Sequence, residues 1–311
     1  MNTSPQKPLC KILSLDGGGS KGMYTLGVLS ELEAALGDKP LGLHFDLIYG
    51  TSTGAIIATM LGLGKSVSEI VDQYRRLIPE IMSQKTSNGR TQKLELYANE
   101  LFGHYTVSDL KVKLGIVASK WLEEKPMIFK SNLEQAHGMT ASFKPGFGCS
   151  LADAVVSSCS AYPLFERKVV QADDGLTWEL IDGGYIANNP TLFSISDAVG
   201  PLNYSEFDLR VVSVGVGDYI EPIKPWYQRM IFIWTLERLL KKTLNMNTRS
   251  MEQLTNLIFK NVPIVRINES STKGALAVDL LESDIKKLNL LFQFGRDSFR
   301  KYEVALRALN L

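Results

Sequence analysis

The apolar residues of this chain fall into short runs that alternate with longer segments of helical spacing. Residues 11–15 (KILSL) and 45–49 (FDLIY) have strand length, and each run leads into a stretch that contains glycines. Residues 24–36 and 55–62 follow these stretches, and their apolar or small residues indicate buried helices. A strand, a glycine-rich turn and a helix, repeated, predict a doubly wound α/β sheet.

The same pattern predicts further elements along the chain. Strands are predicted at 114–119, 127–130, 179–181, 209–214 and 262–267, and helices at 66–81, 94–102 and 150–160. The polar residues 85–90 (KTSNGR) predict an exposed loop.

The two prolines Pro222 and Pro225 indicate a boundary. Beyond them, residues 226–260 and 282–309 are predicted to be mostly helical. We therefore expect one α/β domain over residues 1–222 and a helical C-terminal extension, 223–311, packed on the same domain.

The composition supports a globular protein without a nucleic-acid surface. Of the 311 residues, 45% are hydrophobic and 22% are charged, and the net charge of +1 gives no sign of a polymer of nucleic acid as partner. The N-terminus lacks a signal-peptide pattern, and no run reaches the roughly 18 apolar residues of a spanning helix. We therefore expect a cytoplasmic protein that meets any membrane from its surface.

The three cysteines, Cys10, Cys149 and Cys159, are odd in number and widely spaced. This argues against a disulfide framework and against a zinc site, and it favours buried thiols. No stretch matches the spacing of the common metal-binding motifs, so we expect neither a metal nor another cofactor.

The stretch GTSTG, residues 50–54, follows a predicted strand and enters a predicted helix. This is the pattern of a nucleophile elbow, in which a tight turn lifts a serine beside the positive end of a helix. Ser52 is therefore a candidate nucleophile. The alternative is an ordinary loop between a strand and a helix.

A serine nucleophile needs a base, and histidine is the first residue to consider. In α/β-hydrolases the triad follows the chain order Ser, Asp/Glu, His. This chain has only His44, His104 and His137, so no histidine follows the acidic residue Asp182. His104 and His137 stand in polar or turn-like contexts that favour exposed or locally bonded side chains.

Asp182 is a better candidate for the base. It ends a predicted strand and precedes two glycines, so it is expected at the carboxyl edge of the sheet, where ligands of open α/β sheets bind. A carboxylate is ionised at neutral pH and can accept the serine proton. The alternative is that DGG, residues 182–184, is only a turn that ends a strand.

The stretch DGGGSKG, residues 16–22, allows more than one interpretation. Its spacing does not fit a P-loop. Gly17, Gly19 and Gly22 do satisfy the dinucleotide-binding spacing, but that site needs an acid at the end of the second strand, and Asp46 stands near its start.

The remaining interpretation of this stretch is an oxyanion hole. Successive glycines let several backbone N–H groups point to one spot and form an anion-binding nest. Lys21 would add positive charge as a supporting cation, or it is a surface residue of the first helical turn.

Together and in this order, the three motifs resemble those of the patatin-like phospholipases. That family combines DGGG-x-[RK]-G, G-x-S-x-G and D-G-[GA]; this chain has DGGGSKG, GTSTG and DGG, with Lys21 where arginine is common. Softer similarities are SSCSAYPLF at 157–165, ANNP at 187–190 and SVGVG at 213–217. The resemblance covers roughly residues 10–220.

The resemblance implies a three-layer α/β/α fold and a lipid acyl hydrolase that acts on membrane phospholipids. It implies a Ser–Asp dyad without histidine, with Ser52 as nucleophile and Asp182 as base. The oxyanion N–H groups would come from Gly17, Gly18 and Gly19. No metal or cofactor is implied.

Within the family, the chain resembles bacterial effectors of cyclic-oligonucleotide defence systems against phage. The length and the helical C-terminal part carry this similarity. It implies activation by a cyclic di- or trinucleotide, formation of a homo-oligomer, and contact with the inner membrane surface when the enzyme is active. An alternative of another class is a nucleotide-binding regulatory protein that uses DGGGSKG to hold phosphate without hydrolase activity.

The start of the C-terminal part is rich in aromatic and basic residues. These are Trp226, Tyr227, Phe232 and Trp234, with Arg229, Arg238, Lys241 and Lys242. They suit a lipid interface, a subunit interface, or a face that simply covers the sheet.

Overall fold

A mixed β-sheet of eight strands forms the centre of the computed structural model, which describes residues 8–138, 143–173, 175–220 and 236–311. Its strands are β1 (Cys10–Leu15), β2 (Leu47–Thr51), β3 (Lys113–Lys120), β4 (Lys125–Lys130), β5 (Lys168–Gln171), β6 (Thr177–Asp182), β7 (Leu209–Val214) and, after the short β8 (Asp218–Tyr219), β9 (Ile264–Ile267). The order across the sheet is β5-β6-β3-β2-β1-β7-β9, with β4 paired to β3. A second, two-stranded sheet joins β8 to β10 (Ser270–Ser271).

Helices connect these strands and close the chain. They are α1 (Gly22–Leu36), α2 (Thr53–Gly62), α3 (Val67–Met82), α4 (Ser87–Phe102), α5 (Leu151–Cys159), the single turn α6 (Gly184–Ala187), α7 (Thr191–Val199), α8 (Leu236–Ile258) and α9 (Ile285–Ala308). Among the described residues, none of these helices is both long enough and apolar enough to span a bilayer.

The two faces of the sheet pack against different helices, because successive side chains of a strand point to opposite faces. Leu13 and Leu15 of β1 belong to a large core with residues of α1–α5 and α9. Ile12 belongs to a second core, with Ile195 of α7 and residues of β2 and β7. These layers confirm the predicted three-layer α/β/α fold.

The strand register brings three loops to one edge of the sheet. Strand β1 runs parallel to β2 and β7, so Leu15 pairs with both Gly50 and Val214. On the other side of β2, Thr51 pairs with Val117 of β3. Strand β6 runs antiparallel to β3, and its last residue, Asp182, pairs with Ala118. The DGGG stretch, Ser52 and Asp182 therefore meet at this edge.

The helical C-terminal part packs on both faces of the α/β core. Helices α9 and α1 are in close contact at two glycines. A Cβ added at Gly27 would lie 2.1 Å from the Phe292 carbonyl oxygen, and a Cβ added at Gly295 would lie 2.1 Å from the Tyr24 carbonyl oxygen. Helix α8 lies against α6 and α7. The division at residue 222 stays a prediction.

Several predicted elements differ from the structure. Residues 87–90, predicted as loop, begin α4, because Thr86 caps that helix by accepting the Gly89 N–H at 3.0 Å. Strand β5 and helix α7 were not predicted, and residues 282–309 form one helix from Ile285. Pro222, Pro225 and the aromatic residues between 226 and 235 lie outside the described residues.

Candidate active site

Ser52 occupies the sharp turn between β2 and α2. Its backbone has φ 54° and ψ −124°, a region that residues other than glycine rarely adopt. The flanking glycines are required by space: a Cβ at Gly50 would lie 2.3 Å from the Gly54 carbonyl oxygen, and one at Gly54 would lie 2.3 Å from that of Leu15. The geometry is that of a nucleophile elbow, and the local strain is of the kind found at functional sites.

The end of α5 supports this turn. The Ser158 hydroxyl accepts the Ser52 N–H at 2.8 Å and donates to the Val117 carbonyl at 2.6 Å. The neighbouring Cys159 is buried beside Ser52 and Asp182. Burial is the main cause that raises the pKa of its thiol, and the negative charge of Asp182 is the second. The sequence predicted a helix at 150–160 and a family similarity at 157–165, but no role for Ser158.

Asp182 ends β6 with its carboxylate buried next to Ser52. Its Oδ1 accepts the Gly184 N–H at 2.6 Å, and the residue is 2% exposed. Burial raises the pKa of Asp182 to about 6, against the opposing effects of hydrogen bonds from Ser52 and Gly184. Gly183 is required here, because a Cβ would lie 2.1 Å from the Val117 carbonyl oxygen. The carboxylate is thus a stronger base than an ordinary aspartate and is still ionised at neutral pH.

The glycine loop after β1 lies directly against Ser52, since a Cβ at Gly17 would be 3.1 Å from the Ser52 Cβ. The Gly17 N–H donates to the Asn188 carbonyl at 3.0 Å, so it is already engaged. The N–H groups of Gly18 and Gly19 make no hydrogen bond with a described residue, and both glycines line the same pocket as Ser52 and Asp182. The predicted trio of oxyanion donors is therefore reduced, in this conformation, to Gly18 and Gly19.

Asn188 fixes this loop, although the sequence showed it only within ANNP. Its Nδ2 donates to the Gly17 carbonyl at 3.1 Å and to the Thr248 hydroxyl at 2.7 Å. Its Oδ1 is buried without a hydrogen-bond donor among the described residues. The side chain thus connects the glycine loop to helix α8.

Lys21 does not lie in the Ser52 pocket. Its buried side chain lines a separate small cavity with Asp218 of β8 and Lys241 of α8. Burial lowers the pKa of Lys21 to about 8. The predicted role as a supporting cation at the oxyanion is not one that this position offers.

The pocket beyond Ser52 is almost wholly apolar. It is lined on the side of α2, α3 and α4 by Ile56, Ile78, Ile81 and Leu94, and these four residues also line a second apolar pocket behind it. Phe165, Leu244 and Leu280 close the other side. Such a lining suits a hydrocarbon chain, and Ser52 and Asp182 are among the few polar residues that line it.

None of the three histidines lines this pocket. His137 Nε2 lies 2.8 Å from Asp197, and His44 lies 3.3 Å from Asp38. The described residues also contain no cluster of three His, Cys, Asp or Glu side chains that could hold a metal ion.

The dinucleotide interpretation of the glycine loop fails on geometry. Asp46 precedes β2, and its Oδ2 accepts the Lys11 N–H at 2.8 Å near the start of β1. Gly17 follows the last residue of β1, so Asp46 and the glycines lie at opposite ends of this strand.

Comparison with known proteins agrees with this arrangement. Residues 13–194, more than half of the chain, match the family described as Patatin-like phospholipase. The chain is 50% identical over 299 residues to the cUMP-AMP-activated phospholipase of Escherichia coli, covering 96% of this chain and 93% of that protein. It is 27% identical over 231 residues to the cGAMP-activated phospholipase of Escherichia coli (strain TW11681), covering 67% of this chain and 62% of that protein.

Among solved structures, VipD from Legionella pneumophila aligns over 97% of this chain and 67% of its own, with a TM-score of 0.47 and 12% identity. The family match and the relative at 50% identity are sufficient for an assignment. This chain belongs to the patatin-like phospholipase family and is a hydrolase of lipid acyl esters.

Proposed function

We propose that Ser52 and Asp182 form a catalytic dyad that cleaves acyl esters of membrane phospholipids. The Ser52 hydroxyl attacks the ester carbonyl while Asp182 accepts its proton. The tetrahedral intermediate collapses to an acyl-enzyme, and the proton leaves with the alcohol. Asp182 then takes a proton from water, which attacks the acyl-enzyme. When the second tetrahedral intermediate collapses, that proton passes from Asp182 to the departing Ser52 oxygen, and the fatty acid is released.

The observation that carries this proposal is that β2 and β6 meet end to end along the same side of β3, whose other side is paired with β4. Thr51 pairs with Val117 and Asp182 with the next residue, Ala118, so the register brings Ser52 and Asp182 together at one level of the sheet. A pKa of about 6 makes Asp182 a better base while leaving it ionised at pH 7. No histidine is needed in this scheme.

The oxyanion of each tetrahedral intermediate would bind the N–H groups of Gly18 and Gly19. Both lack another acceptor among the described residues and line the pocket beside Ser52. Losing one such donor typically costs on the order of 10²–10³ in rate.

The substrate class follows from the apolar lining and from the family. The pocket that continues between α2, α3 and α4 would hold one acyl chain of a glycerophospholipid. The head group would stay at the surface of the cytoplasmic leaflet, where the enzyme makes peripheral contact.

Activation by a cyclic nucleotide, in defence against phage, is the second part of the proposal. It is supported by the relative named a cUMP-AMP-activated phospholipase, which matches this chain over almost its full length. It is also supported by the closed state of the site, because Ser52 is only 8% exposed and a lipid needs more room than that. Assembly into a homo-oligomer on activation remains a prediction.

The test is hydrolysis of phospholipid vesicles by the full chain, read by mass spectrometry of released fatty acid, with and without cyclic UMP–AMP. Ser52→Ala and Asp182→Asn should each lose at least about 10³-fold in rate. The exposed residues Ser83 and Asp72 provide matched controls, Ser83→Ala and Asp72→Asn, which should keep wild-type rates. Near-full activity in either dyad variant would exclude the dyad.

Labelling by a fluorophosphonate probe separates the hydrolase from a purely regulatory nucleotide-binding protein. The hydrolase predicts covalent labelling at Ser52 that rises with cyclic UMP–AMP. Hydrolysis that is high and unchanged across a panel of cyclic di- and trinucleotides would contradict the activation but leave the dyad standing.

A further inference from the structure

A polar cavity of about 700 Å³ adjoins the Ser52 pocket, and Asn188 lines both. One wall is the polar face of α8, where Asn245, Arg249, Gln253 and Asn256 recur at helical spacing. Arg266 of β9 and Asn268, the first residue after that strand, form part of the opposite wall. Its size is that of a site for a drug-sized or dinucleotide ligand, and its lining is unlike the apolar pocket beside it.

The lining offers the hydrogen-bonding groups that nucleobases need. The carboxamides of Gln253 and Asn256 each provide a donor pair and an acceptor, which is the pattern that reads the edge of a base. The Asn268 carboxamide is already engaged, because it accepts the Gly217 N–H at 2.9 Å and donates to Asp218 at 3.4 Å. Arg249 stands exposed at the cavity, and its guanidinium makes no ion pair with a described residue. A phosphodiester is the natural partner for such a planar cation.

Lys21 gives a second and independent indication of an anionic ligand. It is 6% exposed, and its ammonium makes no hydrogen bond or ion pair with a described residue. It lines the small cavity that shares Asp218 and Asn245 with the polar cavity. Asp218, Asp279 and Asp16 act on this ammonium only through their charge, so a bound anion in direct contact would add to the pairing of a largely buried cation.

The base of the polar cavity is attached to the glycine loop. Arg266 donates to Asp16 through Nη1 at 2.8 Å and Nη2 at 2.5 Å, and Asp16 directly precedes Gly17. The Arg266 Nε–H is buried without an acceptor within hydrogen-bond distance. A ligand that reaches Arg266 or Asn188 therefore touches residues that hold the loop next to Ser52.

Helix α8 provides a second connection, because it also borders the Ser52 pocket. Leu244 of α8 lines the Ser52 pocket, while Arg249 and Gln253 line the polar cavity. Asn247 fixes this helix to the segment after Asp182 by accepting the Asn188 N–H at 2.8 Å and donating to the Ile186 carbonyl at 2.9 Å. A shift of α8 on ligand binding would move Leu244 at the mouth of the active site.

We infer that the polar cavity between α8 and β9 is the binding site of the activating cyclic dinucleotide, and that its occupation opens the Ser52 pocket through α8 and the Asp16–Arg266 pair. The bases lie against the carboxamides of α8, and the phosphates lie toward Arg249 and Lys21. This inference rests on the nucleotide activation proposed above.

The test is isothermal titration of the full chain with cyclic UMP–AMP and, as a second probe, cyclic GMP–AMP. Arg249→Ala and Gln253→Ala should each weaken the binding of the activating nucleotide by roughly tenfold or more, since a hydrogen bond to a charged or buried partner is lost. The nucleotide concentration for half-maximal hydrolysis should rise by the same factor. Lys242→Ala removes an exposed cation from the same helix outside the described cavities, and it should bind as wild type does.

The outcomes separate the site from the activation itself. Wild-type affinity in both cavity variants, with nucleotide-dependent hydrolysis retained, would overturn the site and leave the activation intact. Failure of the wild-type chain to bind either probe would overturn the activation by these nucleotides and the site with it. Both results leave the Ser52–Asp182 dyad to be judged by its own variants.

Discussion

Asn188 holds Gly17 by two hydrogen bonds in opposite directions. The Gly17 N–H donates to the Asn188 carbonyl at 3.0 Å, and the Asn188 Nδ2 donates to the Gly17 carbonyl at 3.1 Å. The two residues belong to motifs that are 171 positions apart. This reciprocal pair orients the peptide that precedes Gly18, and it thereby sets the direction of the N–H groups proposed to bind the oxyanion.

Asn188→Ala should therefore lower the rate of hydrolysis through positioning. We expect a decrease of kcat on the order of tenfold to hundredfold, less than the loss of a donor itself, because Gly18 and Gly19 keep their N–H groups. KM should change little, since Asn188 contributes little to the apolar lining that would hold the acyl chain. The measurement is kcat and KM on a short-chain ester with saturating nucleotide.

The control for this variant is Asn99→Ala, an exposed asparagine on α4. An unchanged kcat in Asn188→Ala would contradict the positioning role. A rise of KM alone would instead place Asn188 in substrate binding.

The strain at Ser52 gives a prediction about stability that does not depend on the substrate. Ser52 has φ 54°, where any Cβ is unfavourable, and glycine adopts this region freely. Ser52→Gly and Ser52→Ala both remove the hydroxyl, so their difference isolates the backbone. We expect Ser52→Gly to have the larger free energy of unfolding, by about 1 kcal/mol.

Urea denaturation of the two variants measures this difference in the free energy of unfolding. Equal stabilities, or a more stable Ser52→Ala, would show that the turn is not strained. Thr51, whose backbone belongs to β2, is a matched position at which glycine should destabilise instead.

The sequence predicts the position of a site residue when its neighbours along the chain determine that position. It does not do so when the position depends on contacts with residues far away in the sequence. Ser52 and Asp182 could be predicted because a strand end followed by small residues fixes their surroundings locally. Lys21 could not, because its burial depends on Asp218 and Lys241, which are distant in the chain. Asn188 was visible only as part of ANNP, since its partners Gly17 and Thr248 come from other motifs.

The fold shows the same distinction. The parallel strands β1, β2 and β7 are short runs rich in apolar residues, and they were predicted within two residues. Strand β5, KVVQ at the sheet edge, is short and half polar, and it forms by pairing with β6. The first turn of α4 is polar, with only Asn88 fully exposed, and only the Thr86 cap identifies it as helix.

The raised pKa of Asp182 predicts the pH dependence of both activity and stability. In its proposed role as the base, Asp182 must be ionised, so kcat/KM should fall tenfold per pH unit below about pH 6. For stability, the folded pKa lies above the unfolded value near 3.8, so the folded state holds the proton more tightly. The contribution of this group is therefore fully present below about pH 4 and is lost as the pH rises through 6.

Asp182→Asn removes this pH dependence. At pH 7 the variant should be more stable than the wild type by up to about 2–3 kcal/mol, because a buried charge is replaced by a neutral amide whose oxygen can still accept the Gly184 N–H. At pH 4 the gain should disappear. Thermal unfolding at the two pH values measures it, and a variant that is less stable at pH 7 would show that the Asp182 charge is compensated.

Leu244 of α8 closes one side of the Ser52 pocket. Its side chain packs on Gly184, where an added Cβ would lie 2.8 Å from Leu244 Cδ2, and it clusters with Leu240 and Leu280. Leu244→Ala should raise hydrolysis in the absence of nucleotide several-fold by opening the pocket, while lowering the free energy of unfolding by roughly 2 kcal/mol. The response to cyclic UMP–AMP should shrink accordingly.

Leu239→Ala is the matched control, since Leu239 is 59% exposed on the same helix. It should leave both the basal rate and the stability close to wild type. A Leu244→Ala variant that is destabilised but has the wild-type basal rate would show that α8 does not limit access to Ser52. A raised basal rate with an undiminished nucleotide response would instead separate the opening of the pocket from the action of the ligand.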